Sequence, residues 1–235
     1  MQMNFLNDQT VQDQPLAVSL EQHHLKINEM FFSIQGESSL AGWPTVFVRT
    51  TGCNIRCNYC DTKYSYFEGT KISLKDIVTR IESHKAKHVC ITGGEPMAQP
   101  NVLPLMKYLC DQDYVVSLET NGYYDTSLVD ARVIKVIDIK TPDSGEGTSF
   151  NFKNLDVLLP HDQIKFVVCS DKDYEWSKDL IFSKEIYKKC SVFLSPAFAT
   201  MPNKVLAEKI LSDSLPVRLQ LQLHKYIWSP EVRGV

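Results

Sequence analysis

The sequence predicts an α/β fold, an incomplete (β/α) barrel of about six parallel strands. Two observations carry this. Short runs rich in Val, Ile and Phe alternate with amphipathic stretches from about residue 27 onward, the pattern of strands joined by helical crossovers. Polar or glycine-rich clusters follow those runs: TGGEP after HVCI, ETNG after VVSL, DIKTP after VIKVI, CSDKD after KFVV, SPAF after SVFL and HK after LQLQL. In parallel barrels and sheets functional groups gather at the carboxyl ends of the strands. The clusters are therefore expected to converge on one face.

Taken in order, residues 1–25 read as a polar extension, rich in Gln and Asp and without a clear period. Residues 26–235 read as one folded domain. The strand runs are 30–34, 45–50, 88–92, 114–120, 133–139, 163–170, 191–196 and 217–223. Ser73, with Asp76 three residues on, opens a helix as a capping box does, and Leu74, Ile77, Val78 and Ile81 share one face of it. Residues 101–112, 172–188 and 202–213 are further helices.

The 235 residues suffice for one large domain with a sizeable core. A net charge of -3 and a pI near 6.1 argue against a nucleic-acid-binding surface and for a small-molecule substrate. No apolar run approaches the roughly 20 residues that span a bilayer. The N-terminus lacks the basic flank and apolar stretch of a secretory signal, so a cytoplasmic location without membrane contact is expected. Of seven cysteines, three crowd into CNIRCNYC at 53–60, and Cys90, Cys110, Cys169 and Cys190 are scattered among apolar residues. The scattered ones read as small buried hydrophobes. The cluster reads as a metal site rather than a disulfide framework.

Cys53, Cys57 and Cys60 have the spacing C-x3-C-x2-C. Thiolates bind iron well, whereas a closed structural zinc site normally takes four protein ligands. None of the six histidines lies at a typical finger spacing from these cysteines. Three thiolates on a [4Fe–4S] cluster leave one iron open. That iron can chelate the amino and carboxylate groups of S-adenosylmethionine, and an electron from the reduced cluster then breaks a carbon–sulfur bond to give a 5′-deoxyadenosyl radical. The spacing resembles the signature of the radical S-adenosylmethionine superfamily, which also expects an aromatic residue where Tyr59 stands. GGEP at 93–96, some forty residues on and after a strand, is the second matching element; glycine lets backbone approach a ligand closely.

Flanking segments narrow the resemblance. NEMFFSIQGE (28–37), VFVRTTGCN (46–54), CDT (60–62), TGGEP (92–96), ETNG (119–122) and LHKYIW (223–228) resemble the 7-carboxy-7-deazaguanine synthase family, over most of the chain from about residue 27. The resemblance implies a lyase-type ring contraction of 6-carboxy-5,6,7,8-tetrahydropterin to 7-carboxy-7-deazaguanine with loss of ammonia. The reaction lies on the path to the tRNA modification queuosine and other deazapurines. S-adenosylmethionine is used catalytically, and Mg2+ is required. A homodimer reduced by a flavodoxin-type or other donor is also implied.

Carried onto this chain, the resemblance assigns S-adenosylmethionine contacts to Tyr59, Cys60, Asp61 and Gly94. It adds Asp138, Ile139 and Lys140, and Ser195, Pro196, Ala197 and Phe198, although these two segments depart from the Ser-Pro-Lys and Gln-Pro patterns of some members. Thr62 stands at the Mg2+ position, a hard oxygen donor of the kind Mg2+ accepts beside substrate oxygens and water. Ile34, Gln35 and Gly36 offer backbone to the pterin, and Thr92 is a further substrate contact. Read physically, Arg49 suits a bidentate contact to the substrate carboxylate. Gln35 and Glu37 suit the aminopyrimidinone edge, against the alternative of a polar turn around Gly36. His224 and the Val235 terminal carboxylate are placed to reach the pterin; a core or interface role for His224 stands beside that. Two rival functions remain at this level: a radical activase of a partner enzyme, against which QGE, Arg49 and CDT speak, and a non-catalytic zinc or iron–sulfur module.

Overall fold

The computed structural model describes residues 20–235. Its strands are β1 (His24–Ile34), β2 (Pro44–Thr50), β3 (Thr70–Ser73), β4 (His88–Gly93), β5 (Val115–Thr120), β6 (Ile134–Asp138), β7 (Gln163–Val168), β8 (Ser191–Pro196) and β9 (Arg218–Leu219). They form one sheet in the order β3-β1-β2-β4-β5-β6-β7-β8-β9. From β2 to β9 every neighbouring pair is parallel, while β1 and β3 are antiparallel additions at one edge. The sheet thus has more strands than the expected six or so, and it stays open. The helices are α1 (Leu74–Glu82), α2 (Val102–Asp111), α3 (Asp171–Ser183), α4 (Asn203–Ser212) and the short α5 (His224–Ile227). None of the helices in the described residues is long and apolar enough to cross a membrane.

Period-two alternation divides the sheet into two chemically distinct faces. Val46, Val48, Val89, Ile91, Val116 and Leu118 point outward to the apolar stripes of α1 and α2, which bring Leu74, Ile77, Ile81, Leu105 and Leu109. A second core forms where Ile164, Phe166, Val192 and Leu194 meet Ile181, Leu206 and Ile210. The intervening residues face the concave side. The α1 cap is as the sequence predicts: the Ser73 hydroxyl accepts from Asp76 N at 3.1 Å and donates to the Asp76 carboxylate at 2.8 Å.

Two departures from the sequence expectation have physical causes. The run 217–223 is a strand only at Arg218–Leu219. Beyond it the chain leaves the β8 edge, and Leu223 N donates to Gly36 O at 3.0 Å, bridging toward the loop after β1. The polar extension expected to end at residue 25 overlaps the fold: Leu20 packs on the core, Leu25 is buried, and His24 pairs with Ser73. Residues 1–19 lie outside the described residues. In keeping with the sequence, which offers no helix between residues 120 and 133, β5 and β6 are joined without an α-helix.

In place of that helix, the side-chain amide of the fully buried Asn154 organises the connection. It accepts from Thr126 N and Oγ1 and donates to Gly122 O and Tyr124 O, at 2.8–3.2 Å. Buried backbone groups need such partners. Asn154→Leu is expected to cost about 3 kcal/mol of stability, read as a lower denaturation midpoint; a variant unfolding with the wild type would refute this role.

Candidate active site

The cysteine loop begins where β2 ends. Gly93 and Gly94 hold it there. Gly94 N donates to Thr50 O at 3.1 Å, and Glu95 N to Gly52 O at 2.7 Å. A Cβ on Gly94 would lie 2.0 Å from Gly52 O, so only glycine allows this approach. The Glu95 carboxylate is fully buried and accepts from Met97 N, Thr120 Oγ1 and Asn121 N at 2.7–3.0 Å. Asn121 in turn donates to Asn54 Oδ1 at 2.9 Å. The far side of the loop is fixed by Asn58 N on Ser144 O and Arg56 N on Glu146 Oε1. Three strand-end loops and the cysteine loop are thereby bonded into one rim.

Beneath that rim lies a cavity of about 460 Å³, within the usual range for small-molecule sites. Cys53, Cys57 and Cys60 all line it; Cys90, Cys110, Cys169 and Cys190 do not. Burial pushes the Cys57 thiol up to about 11 and raises Cys53, while the nearby Lys140 cation opposes both shifts. Lys140 keeps its own proton firmly: burial disfavours the charge, but Asp138 at 3.0 Å more than offsets it. Thr62 Oγ1 lies 3.7 Å from Cys60 Sγ at the cavity wall.

The concave face supplies the floor, one residue in two along each strand. Arg49 sits beside Thr92 in register, Thr92 Oγ1 donates to Glu119 at 2.8 Å, and Asp138 pairs in register with Lys165. Arg49 is fixed from behind, because Glu29 Oε1 accepts from Arg49 Nε at 2.7 Å and from Tyr64 OH at 2.9 Å. That leaves its terminal nitrogens for a ligand. Glu37 is held by Lys165 Nζ and Gln222 Nε2, each at 2.7 Å. Burial pushes its carboxyl up, but Lys165 and these hydrogen bonds outweigh it and hold Glu37 below the usual carboxylate range. His224 rests on Gly36, where a Cβ would meet His224 Nδ1 at 2.2 Å. Burial lowers the His224 pKa, against the opposing pull of Glu37. Lys225 pairs with Asp61 at 3.0 Å.

Residues 47–141 match the model of the Radical SAM superfamily. Over 214 residues the chain is 46% identical to the 7-carboxy-7-deazaguanine synthase of Chlorobaculum tepidum, covering 90% of this chain and 97% of that one. The chain belongs to the 7-carboxy-7-deazaguanine synthase family. The family protein of Koribacter versatilis is 41% identical over 226 residues, covering 90% of this chain and all of that one. The fold agrees with that of QueE from Escherichia coli, with a TM-score of 0.72 at 24% identity over 87% of this chain and 96% of that one. Radical enzymes of this family use a [4Fe–4S] cluster and S-adenosylmethionine, so the activase and the non-catalytic module fall away.

The residues present fit those groups. Among the described residues no three His, Cys, Asp or Glu side chains converge on one metal ion, whereas a cluster takes each thiolate on a separate iron. Of nine buried side-chain polar atoms without a partner among the described residues, three, Gln35 Nε2, Tyr59 OH and Asp138 Oδ1, belong to residues that line the cavity. Native structures rarely leave such atoms unpaired, and a ligand in the cavity would satisfy these three.

Almost every residue singled out in the sequence borders this cavity: the 34–37 segment, Arg49, Thr92, Gly94, the 59–62 segment, the 195–198 segment, His224 and Val235. Of residues 138–140, Asp138 and Lys140 face it. Ile139 does not; alternation turns its side chain into the apolar core. Lys165, Glu119, Gln222 and residues 230–234 also line the cavity and escaped sequence reasoning. Lys165 did leave a signal, a lone cation inside the apolar run QIKFVV.

Cys57→Ala is expected to yield colourless protein with under about a tenth of the wild-type iron after anaerobic reconstitution, and no S-adenosylmethionine cleavage. Iron analysis and product chromatography check this; retained iron with cleavage would refute the ligand assignment.

Proposed function

We propose that this chain contracts the ring of 6-carboxy-5,6,7,8-tetrahydropterin to 7-carboxy-7-deazaguanine, releasing ammonia, within queuosine and 7-deazapurine biosynthesis. The observation that carries the reading is the sharing of one cavity by Cys53, Cys57 and Cys60 with Arg49 and Glu37. Bound there, the cluster and S-adenosylmethionine supply one-electron, hydrogen-abstracting chemistry. Cys53, Cys57 and Cys60 hold the cluster. Tyr59, Cys60, Asp61, Gly94, Asp138, Lys140 and the 195–198 segment hold the nucleotide.

The remaining work is positioning. The terminal nitrogens of Arg49 grip the pterin carboxylate as a fork, pre-aimed because Glu29 fixes Nε. Glu37 accepts from the amino and ring N–H groups of the aminopyrimidinone edge, and the Gln35 side chain, whose Nε2 is unpaired in the protein, donates to its carbonyl. Ile34 and Gly36 add backbone contacts, and Thr92 borders the same floor. His224 and Val235 close the pterin from the C-terminal side. Thr62 would hold Mg2+ through its hydroxyl, and the ion would supply Lewis-acid polarisation of substrate oxygens. The enzyme acts as a cytoplasmic homodimer served by a flavodoxin-type or other one-electron donor, a reading supported by family membership.

The test is anaerobic incubation with reductant, S-adenosylmethionine, Mg2+ and the tetrahydropterin. A product lighter than the substrate by ammonia supports the proposal; unchanged substrate with an intact cluster contradicts it. Arg49→Ala is expected to lower kcat/KM for the pterin about 10–100-fold, the worth of one charge-assisted fork. Uncoupled cofactor cleavage should survive. Equal pterin kinetics in variant and wild type would remove the carboxylate clamp.

A further inference from the structure

Lys165 stands in the middle of β7, flanked by Ile164 and Phe166, both fully buried in the second core. A cation among such neighbours is costly unless paired. Its ammonium turns to the concave face and finds two carboxylates, Glu37 Oε2 at 2.7 Å and Asp138 Oδ2 at 3.4 Å. Asp138 has a closer partner in Lys140 at 3.0 Å. Glu37 has no other cation within ion-pairing distance among the described residues; its second oxygen takes the neutral amide of Gln222. Glu37 reaches Lys165 from a segment 128 residues away in sequence, so no local structure would otherwise hold it there.

We infer that Lys165 is a positioning residue for the ring contraction: it keeps the Glu37 carboxylate ionised and aimed, and so makes that side chain an acceptor only. This rests on the reading that Glu37 meets the aminopyrimidinone edge. An ionised carboxylate only accepts hydrogen bonds, while a protonated one presents a donor. A purine-like or pterin edge that offers N–H groups is matched by the first and mismatched by the second. Lys165 thus sets the specificity of the cavity for ligands with an N–H donor edge.

The charged groups facing Glu37 are Lys165 from β7 and His224 from α5. Asp138 and Glu119, from β6 and β5, act on Lys165 itself. With Lys165 present, attraction wins over burial and Glu37 lies below the ordinary carboxylate range. Without it, burial is unopposed by any nearby permanent cation and the carboxyl titrates higher. The sign follows: in a neutral variant, affinity is weak at low pH, where Glu37 carries a proton, and returns as pH rises and the proton leaves.

The experiment uses cluster-loaded, S-adenosylmethionine-bound protein under anaerobic conditions and the fluorescent analogue 6-carboxypterin as probe. Its Kd is measured from pH 5.5 to 8.5 for wild type, Lys165→Met, Lys165→Gln, Lys165→Arg and Glu37→Gln. Taking each variant's Kd as a ratio to wild type at the same pH cancels the titration of the probe. Lys165→Met and Lys165→Gln are expected to bind about tenfold or more weakly at low pH, one decade being about 1.4 kcal/mol, and to recover toward wild type as pH rises. Lys165→Arg should stay within a few-fold throughout, and Glu37→Gln should be weak at every pH. A pH-independent loss in both neutral variants, or wild-type binding in either, overturns the inference. If Glu37→Gln binds as wild type does, the contact of Glu37 with the pterin edge fails, and that failure is separate from any result at Lys165.

Discussion

Backbone touching backbone at Gly93 and Gly94 is the constraint on which this site depends. A side chain at Gly94 would enter the space of Gly52 O, and Gly93 adopts φ +143 with Thr50 O only 2.4 Å from where a Cβ would stand. With both glycines, the end of β4 locks to the end of β2, and the cysteine loop leaves β2 in one direction only. Glu95 then carries the connection onward to β5 through Thr120 and Asn121. The rim is a set of short bonds between strand ends, and Cys53, Cys57 and Cys60 inherit its rigidity.

The floor follows from a different rule. Parallel strands buried on both faces usually read as continuous apolar runs. Here the outward residues obey that rule, and the inward ones break it with Arg49, Thr92, Glu119, Asp138 and Lys165. Each inward charge has a partner in the protein: Glu29 for Arg49, Lys140 and Lys165 for Asp138, and the Thr92 hydroxyl for Glu119, while Lys165 also holds Glu37. Opposite charges at such spacing in a partly desolvated cavity hold each other in fixed poses. Such fixed poses are what positioning a reactive pterin requires.

Much of this was legible in the sequence because it is local. The C-x3-C-x2-C spacing, the GGEP and QGE segments and the Ser73 cap are short-range patterns, and strand runs show themselves in four to eight residues. What could not be read is long-range. Asn154 replaces a missing crossover helix by bonding to a loop some 30 residues earlier in the chain, and nothing around it in sequence says so. Lys165 and Glu37 meet although 128 residues separate them and β2, β4, β5 and β6 lie between β1 and β7 in the sheet. The apolar run 217–223 looked like a full strand, but at a sheet edge only two residues pair before the chain crosses to Gly36. Ile139 was grouped with its neighbours by resemblance, yet alternation along the end of β6 sends it to the core.

The central claim is that three thiols on one rigid rim leave a single iron open toward the pterin floor. Electron–nuclear double resonance on the reduced cluster, with S-adenosylmethionine carrying 15N in its amino group and 17O in its carboxylate, tests it most directly. Hyperfine coupling from both labels to the cluster is the predicted result. A fully assembled cluster showing no coupling to either label, with the nucleotide bound, would contradict it.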